Sequence, residues 1–332
     1  MLETLTGMHA LIVGFGSIGK RHANNVRKLQ PDAGVTVLLP PGSRSAALLP
    51  AGAALVNGVE EAIRREPDCA LICSPSFSRL EYLLPLLSAG IPCYVEKPLV
   101  ASKGDAAALR AYVKAREGMP ATVVGCNLRL LPSLQQAREL IASGGLGKVV
   151  RASLSAGQWL EDWRPGTDYR GSYSARPDRG GGVILDLIHE IDVARWLLGD
   201  LQLVAAAAGR LSRLEISAED TACLLLRGTA SMGPLVSINL DYVSRRRVRR
   251  YEVVGEEGTL IWDLDRQVLE CLDAQGVHVL ARGAAAFDTA QSYVLALESF
   301  FRSMQGAKPF CDLEDGLRAA ELALEARDRA LQ

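Results

Sequence analysis

The apolar segment Ala10-Leu11-Ile12-Val13 runs straight into Gly14-Phe15-Gly16-Ser17-Ile18-Gly19 and leaves through Lys20-Arg21-His22-Ala23-Asn24-Asn25-Val26. An apolar run, a glycine turn and an amphipathic run read as a strand, a turn and the start of a helix. No other stretch restricts the fold as much, because a strand feeding a helix this directly commits the chain to a βα unit and so to a parallel sheet. The glycines also have a chemical reading. The first permits the tight turn, the second lets backbone approach a pyrophosphate, and the third lets helix and strand pack closely. The free N–H groups and positive end of the helix then hold the phosphates. Gly14, Gly16, Ser17, Ile18 and Gly19 are therefore the expected cofactor contacts. The run up to Lys20 also fits the first seven positions of a nucleoside-triphosphate loop, GxxxxGK. Arg21 stands where that loop needs a magnesium-binding hydroxyl, and no downstream apolar strand ends in a metal-binding Asp, so a dinucleotide is favoured.

With 332 residues, 48% hydrophobic and 23% charged, the chain is long enough for two domains. A net charge of −1 gives no pull toward nucleic acid or membranes. Without a cleavable leader or an apolar run of bilayer length, a cytoplasmic location is expected. The seven cysteines form no CxxC pair, so neither a disulfide framework nor a metal site is expected.

Up to residue 125, apolar runs at 8–13, 35–39, 69–73, 92–95 and 121–125 alternate with amphipathic stretches at 17–29, 59–66, 78–89 and 102–117. This is the pattern of an α/β domain with a parallel sheet. Strand-like runs at 148–157, 201–214, 221–227 and 235–243 then follow one another, which predicts a mostly antiparallel sheet. A helix is expected over 182–198, and two more near 286–305 and 312–331. The expected division is a dinucleotide-binding domain over 1–125, an α+β substrate and oligomerisation domain over 126–311, and a C-terminal helix over 312–332 that packs back on the first domain.

Two further clusters carry chemistry. Tyr94-Val95-Glu96-Lys97-Pro98 ends a core strand, and ligands collect outside the carboxyl ends of an open parallel sheet. Lys97 there is placed to bind a substrate hydroxyl and move its proton. In Gly180-Gly181-Gly182-Val183-Ile184-Leu185-Asp186-Leu187-Ile188-His189-Glu190-Ile191-Asp192, Asp186 and His189 are three apart and expected on one helix face. A carboxylate beside an imidazole makes an acid/base pair, while Glu190 and Asp192 read as capping or salt-bridging groups. The stretch 163–176 is dense in aromatics, arginines and hydroxyls. Trp163, Arg164, Tyr169, Arg170 and Tyr173 are its expected sugar contacts.

Together these motifs resemble the Gfo/Idh/MocA family of oxidoreductases: GFGSIGKRH, then EKP, then a glycine run into D-x-x-H-E-x-D. Asn127-Leu128-Arg129 with Pro132, Gly147-Lys148-Val149 and Gly255-Glu256-Glu257-Gly258-Thr259 extend the likeness over nearly the whole chain. The resemblance implies a Rossmann domain joined to an open-faced sheet domain, and hydride transfer between NAD or NADP and sugars, inositols or nucleotide sugars. It implies Lys97 as catalytic lysine, Asp186 and His189 as the second-domain polar pair, Glu96, Ser74 and Pro75 at the cofactor, Arg129 at the substrate, and a homodimer or homotetramer formed through the open sheet face. Two departures stand out. The commonest family spacing of that Asp and His is four residues, and the D-L-x-H-E variant here resembles a branch associated with surface-sugar biosynthesis. Arg79 replaces a usual His.

After the second strand, Leu38-Leu39-Pro40-Pro41-Gly42-Ser43-Arg44 lacks the carboxylate that holds the ribose of NAD. Ser43 and Arg44 suit a 2′-phosphate, which tips the expectation from NAD toward NADP. The run Arg245-Arg246-Arg247-Val248-Arg249-Arg250 has acids close by and no interleaved aromatics, and reads as a solvated or interface strand rather than a nucleic-acid patch. The alternative to an enzyme is a dinucleotide-binding sensor that keeps this fold without turnover.

Overall fold

The computed structural model describes residues 7–163 and 165–330. The first stretch runs β1 (His9–Val13), α1 (Ser17–Leu29), β2 (Gly34–Leu38), β3 (Ala54–Val56), α2 (Val59–Arg64), β4 (Cys69–Ile72), α3 (Arg79–Ser88), β5 (Cys93–Val95), α4 (Lys103–Lys114) and β6 (Thr122–Val124). The second runs α5 (Pro132–Ala142), β7 (Val149–Gly157), α6 (Val183–Asp186), α7 (His189–Leu198), β8 (Leu201–Gly209), β9 (Thr221–Gly228), β10 (Leu235–Asp241), β11 (Val248–Gly255), β12 (Thr259–Asp263), β13 (Val268–Asp273), β14 (Gly276–Arg282) and α8 (Ala284–Phe287). Helices α9 (Thr289–Met304) and α10 (Leu313–Ala330) close the described chain.

These elements form two compact units. One comprises residues up to Asn127 together with Ala290–Leu317, and the other Leu128–Thr289 with the residues from Arg318 on. The division thus takes α9, which the sequence assigns to the second domain, into the first unit, and it falls inside α10. The reason lies in the side chains. Phe300 of α9 stacks edge-on against Tyr94 of β5, and the Val124 amide of β6 donates to the Cys311 carbonyl.

In the first unit six parallel strands lie in the order β3-β2-β1-β4-β5-β6. Ala10–Val13 and Cys69–Ile72 are buried on both faces, which is why these strands read as unbroken apolar runs rather than alternating ones. The strand order reverses between β1 and β4, the place where an open α/β sheet forms its ligand crevice.

In the second unit eight strands lie in the order β14-β13-β12-β11-β7-β10-β9-β8, every pair antiparallel except β10 with β7. Along β9, Ala222, Leu224 and Leu226 point inward while Cys223, Leu225 and Arg227 face out, the period-two pattern of a sheet with one open face. Helices α5, α6 and α7 lie against strands of this sheet. Tyr251, Trp262 and Phe287 stack in series, and the Trp262 indole N–H donates to Ser133 Oγ at 2.9 Å. The runs that became β12, β13 and β14 are short and broken by charges, so they escape a reading based on long apolar stretches.

One feature corrects the sequence reading. The helix expected over 182–198 is broken: Leu187 leaves helical geometry at φ −97° and ψ 32°, and a second helix starts at His189. Arg129, expected at the substrate, is 2% exposed, and its Nε and Nη2 fork onto the Asp192 carboxylate at 3.0 and 2.6 Å. Glu190, also buried, accepts from Tyr251 Oη and Arg249 Nε, each at 2.8 Å. The two acids of α7 are thus anchored from beneath by cations of other elements. Arg129→Leu leaves the Asp192 charge buried without its bidentate partner. It is expected to cost about 3–5 kcal/mol, read as a fall in the urea midpoint, with the Arg129→Leu/Asp192→Leu double variant recovering most of the loss.

Candidate active site

The candidate cofactor site is the turn after β1. Gly14 has φ +85°, and a β-carbon there would sit 2.9 Å from the Ser74 backbone; one on Gly19 would sit 2.2 Å from the Gly14 carbonyl oxygen. A β-carbon on Gly16 would meet nothing within 4 Å. Two glycines therefore close the turn against the sheet, and the third leaves open space at the start of α1. No side chain caps that helix and its first turn holds no acid, so its N–H groups remain for an anion. Ser74, which follows β4, is buried with no hydrogen-bond partner for its Oγ. An open, uncapped helix start next to an unsatisfied hydroxyl fits a dinucleotide phosphate. Pro75 is exposed beside it. After β2, Ser43 Oγ accepts from the Ser45 amide at 3.3 Å and Arg44 is exposed.

Lys97 follows β5 and is partly exposed; the Lys97–Pro98 peptide is cis. Glu96, expected to touch the cofactor, instead turns into the core, where its Oε1 lies 2.7 Å from His22 Nε2. Burial pushes its carboxyl up, but the His22 hydrogen bond and the charges of His22, Arg79 and Lys97 outweigh that and hold it below the usual carboxylate range. Arg79, the departure from the usual His, is buried; its Nε donates to the Ser74 carbonyl at 3.1 Å and its Nη1 to the Pro98 carbonyl. It brackets the strand ends that carry Ser74 and Lys97.

In the second unit, Asp186 ends α6 and His189 begins α7, both buried. Their spacing spans the break, so helix periodicity does not set their relative direction. Tyr242 Oη, in a fully buried side chain, donates to Asp186 Oδ2 at 2.7 Å. Burial and the Asp186 charge push the Tyr242 hydroxyl well above its ordinary range, so it stays a donor. Glu219 closes the start of α6: its carbonyl accepts from the Val183 amide and its Oε1 from the Ile184 amide, at 3.1 and 3.3 Å. Burial raises the Glu219 carboxyl, backbone hydrogen bonds from its own amide and Ile184 and the Arg327 charge pull against it, and Asp186 adds to the rise. Sequence reasoning missed both residues. The alternation Val236, Ile238, Leu240 along β10 points the next inward position at Tyr242 and was the available signal.

Around the 163–176 stretch the structure forms a cavity of about 230 Å³ lined by Leu160, Trp163, Tyr169, Ser172 and Ser174, among others. The Trp163 ring stands edge-on to Tyr242 at 5.2 Å, which connects the cavity wall to the Asp186 partner. Ser174 Oγ is buried with no hydrogen-bond partner. Arg170 is held by Asp168 and Glu215 at 2.9 and 3.0 Å. Tyr173 is half-buried and does not line the cavity; Arg164 lies outside the described residues. In the basic run, Arg245 sits 3.6 Å over the Trp159 ring, Arg247 pairs with Asp265, and Arg250 with Glu252.

Comparison with known proteins gives the chain a family. Residues 8–123 match the oxidoreductase family with an NAD-binding Rossmann fold, and residues 134–261 match the GFO/IDH/MocA C-terminal domain. An inositol 2-dehydrogenase of Cereibacter sphaeroides is 30% identical over 258 residues, covering 75% of this chain and 71% of that protein. One from Rhizobium meliloti is 28% identical and covers 94% and 93%. The WlbA dehydrogenase of Bordetella pertussis, solved with NADH and UDP-GlcNAcA, shares the fold with a TM-score of 0.81 at 20% identity, covering 99% and 96%. The chain belongs to the GFO/IDH/MocA family of oxidoreductases, and its first domain is the family's NAD-binding Rossmann fold. Among the described residues no helix is long and apolar enough to cross a membrane.

The glycine geometry separates two roles. Gly16→Ala is expected to melt within a degree or so of the parent while its NADH dissociation constant, read by fluorescence, rises about tenfold or more, the change from losing about 1.4 kcal/mol of binding. Gly19→Ala forces the helix off the turn, and its melting temperature falls. Acid titration tests Glu219. Because its folded carboxyl is raised, its contribution to stability is present below the ordinary carboxylate range and is lost as pH climbs through the raised value. Glu219→Gln keeps an acceptor for the Ile184 amide without ionising, so it is expected to melt above the parent at pH 8 and level with it near pH 4.

Proposed function

We propose that this chain is a nicotinamide-dependent dehydrogenase or reductase acting on a hydroxyl or keto carbon of a sugar, sugar acid or nucleotide sugar, working in the cytoplasm as a homodimer or homotetramer through the open sheet face. The observation that carries this is the location of Lys97 at the carboxyl end of β5, on the same sheet edge as the Gly14–Gly19 turn after β1 and Ser74 after β4. The names of its relatives support the substrate class: inositol 2-dehydrogenases, a D-apiose dehydrogenase and a 1,5-anhydro-D-fructose reductase.

Bound nicotinamide supplies the carbon that accepts or gives the hydride. In the oxidative direction Lys97 Nζ, as the neutral amine, takes the proton from the hydroxyl oxygen on the carbon being oxidised, and its ammonium returns the proton to that oxygen in reduction. His189 binds a substrate hydroxyl, and Asp186, fixed by the Tyr242 hydroxyl, fixes the polarity of that part of the site. The faces of Trp163 and Tyr169, which line the cavity, pack on the sugar. Ser43 and Arg44 receive a 2′-phosphate, which makes NADP the preferred dinucleotide.

Purified protein is to be assayed with NAD⁺ and NADP⁺ against myo-inositol, aldoses, uronic acids and UDP-sugars, following reduced cofactor by absorbance. Turnover of at least one sugar or polyol is expected. Lys97→Ala is expected to lower kcat by about 10²–10⁴-fold with NADPH still bound, and Arg44→Ala to weaken NADPH binding while sparing NADH. Tight cofactor binding with no turnover across the panel would overturn the reading.

A further inference from the structure

We propose that His22 is a positioning residue for Lys97, acting through the Glu96 carboxylate and tying the lysine to the helix whose start faces the cofactor phosphates. The inference rests on the reading of Lys97 as the proton carrier. His22 lies on the inward face of α1 with Gly19, Ala23 and Val26, at helical spacing, and is fully buried. Its ring packs 4.9 Å from Tyr94 and 6.1 Å from Tyr293. An apolar side chain would fill that wall without difficulty. The imidazole instead brings a polar Nδ1 into the core with no hydrogen-bond partner among the described residues, which is a cost to folding. What offsets this cost is the 2.7 Å bond from Nε2 to Glu96 Oε1, made across 74 residues of chain.

Glu96 transmits the effect because it is the residue before Lys97, and its own amide is held by the Ile72 carbonyl at 3.0 Å. With backbone and side chain both fixed, the turn carrying Lys97 has little freedom at its root. The groups facing the carboxylate are His22 from α1, Arg79 from α3, Lys97 beside it, Tyr94 from β5 and Cys73 after β4. Tyr293 of α9 packs behind, against Tyr94 and His22. Removing the imidazole leaves a desolvated carboxylate short of a donor. That carboxylate is then free to turn away from its place, and Lys97 loses both its fixed negative neighbour and its anchor.

The test needs no substrate. Competitive labelling with acetic anhydride across pH, read at Lys97 by mass spectrometry, is to be run on the parent, His22→Gln, His22→Ala and Glu96→Gln, alongside NADH affinity by fluorescence. The midpoint of Lys97 labelling is expected to fall by about one pH unit in His22→Ala, the scale for losing one nearby opposite charge. His22→Gln, whose amide N–H reaches toward the same oxygen, is expected to keep the parental profile and to bind NADH more tightly than His22→Ala. Glu96→Gln, with the imidazole intact, is expected to shift like His22→Ala, and it serves if the alanine variant does not fold. A parental profile in His22→Ala with only a lower melting temperature makes His22 a packing residue and overturns the inference. So does a His22→Gln profile displaced as far as His22→Ala, or an unmoved Glu96→Gln. A Lys97→Ala enzyme with full turnover would reject Lys97 as proton carrier without altering the labelling result, so the two ideas fail separately.

Discussion

Gly14 and Gly19 put no β-carbon of their own between the first turn of α1 and the ends of β1 and β4. At 2.2 Å from the Gly14 carbonyl, a methyl on Gly19 would push the helix away, and much of the first unit follows from its not being there. The helix sits low on the sheet, so its N–H groups open toward the crevice where the strand order reverses. The same closeness lets a side chain in the second turn of the helix reach Glu96 beyond the end of β5. In the second unit the corresponding constraint is electrical: the two acids of α7 are buried, and each is met by an arginine from another element. Such pairs contribute little net stability over an apolar core, but they penalise any packing that separates the partners.

Much of this was legible in the sequence because it is local. Strands buried on both faces appear as unbroken apolar runs, and the glycine turn, the lysine after β5 and the polar residues at 186–192 are each contained within a few positions. What the sequence did not disclose was where buried polar groups end up. Glu96 finds His22 across 74 residues and Asp186 finds Tyr242 across 56, and no periodicity encodes a partner so distant. Arg129 shows the hazard most clearly. A cation beside a family-like motif invites a role at the substrate, and nothing local announces its paired bonds to Asp192, 63 residues on. The break after Asp186 was hidden for another reason: Leu187 is a good helix former and neither Leu187 nor Ile188 is a helix breaker, so nothing local marks the turn.

The interruption between α6 and α7 bears on how such chains are recognised. In a continuous helix, one residue more or fewer between two functional groups swings the second by about 100°, so spacing is rigidly inherited. Across a hinge, the backbone torsions at Leu187 and Ile188 absorb the change, and residue count and torsion become exchangeable. A motif defined by fixed spacing would pass over this chain, in which the aspartate ends one helical segment and the imidazole begins the next. Lineages with such a hinge are free to vary the length of the motif while keeping its chemistry.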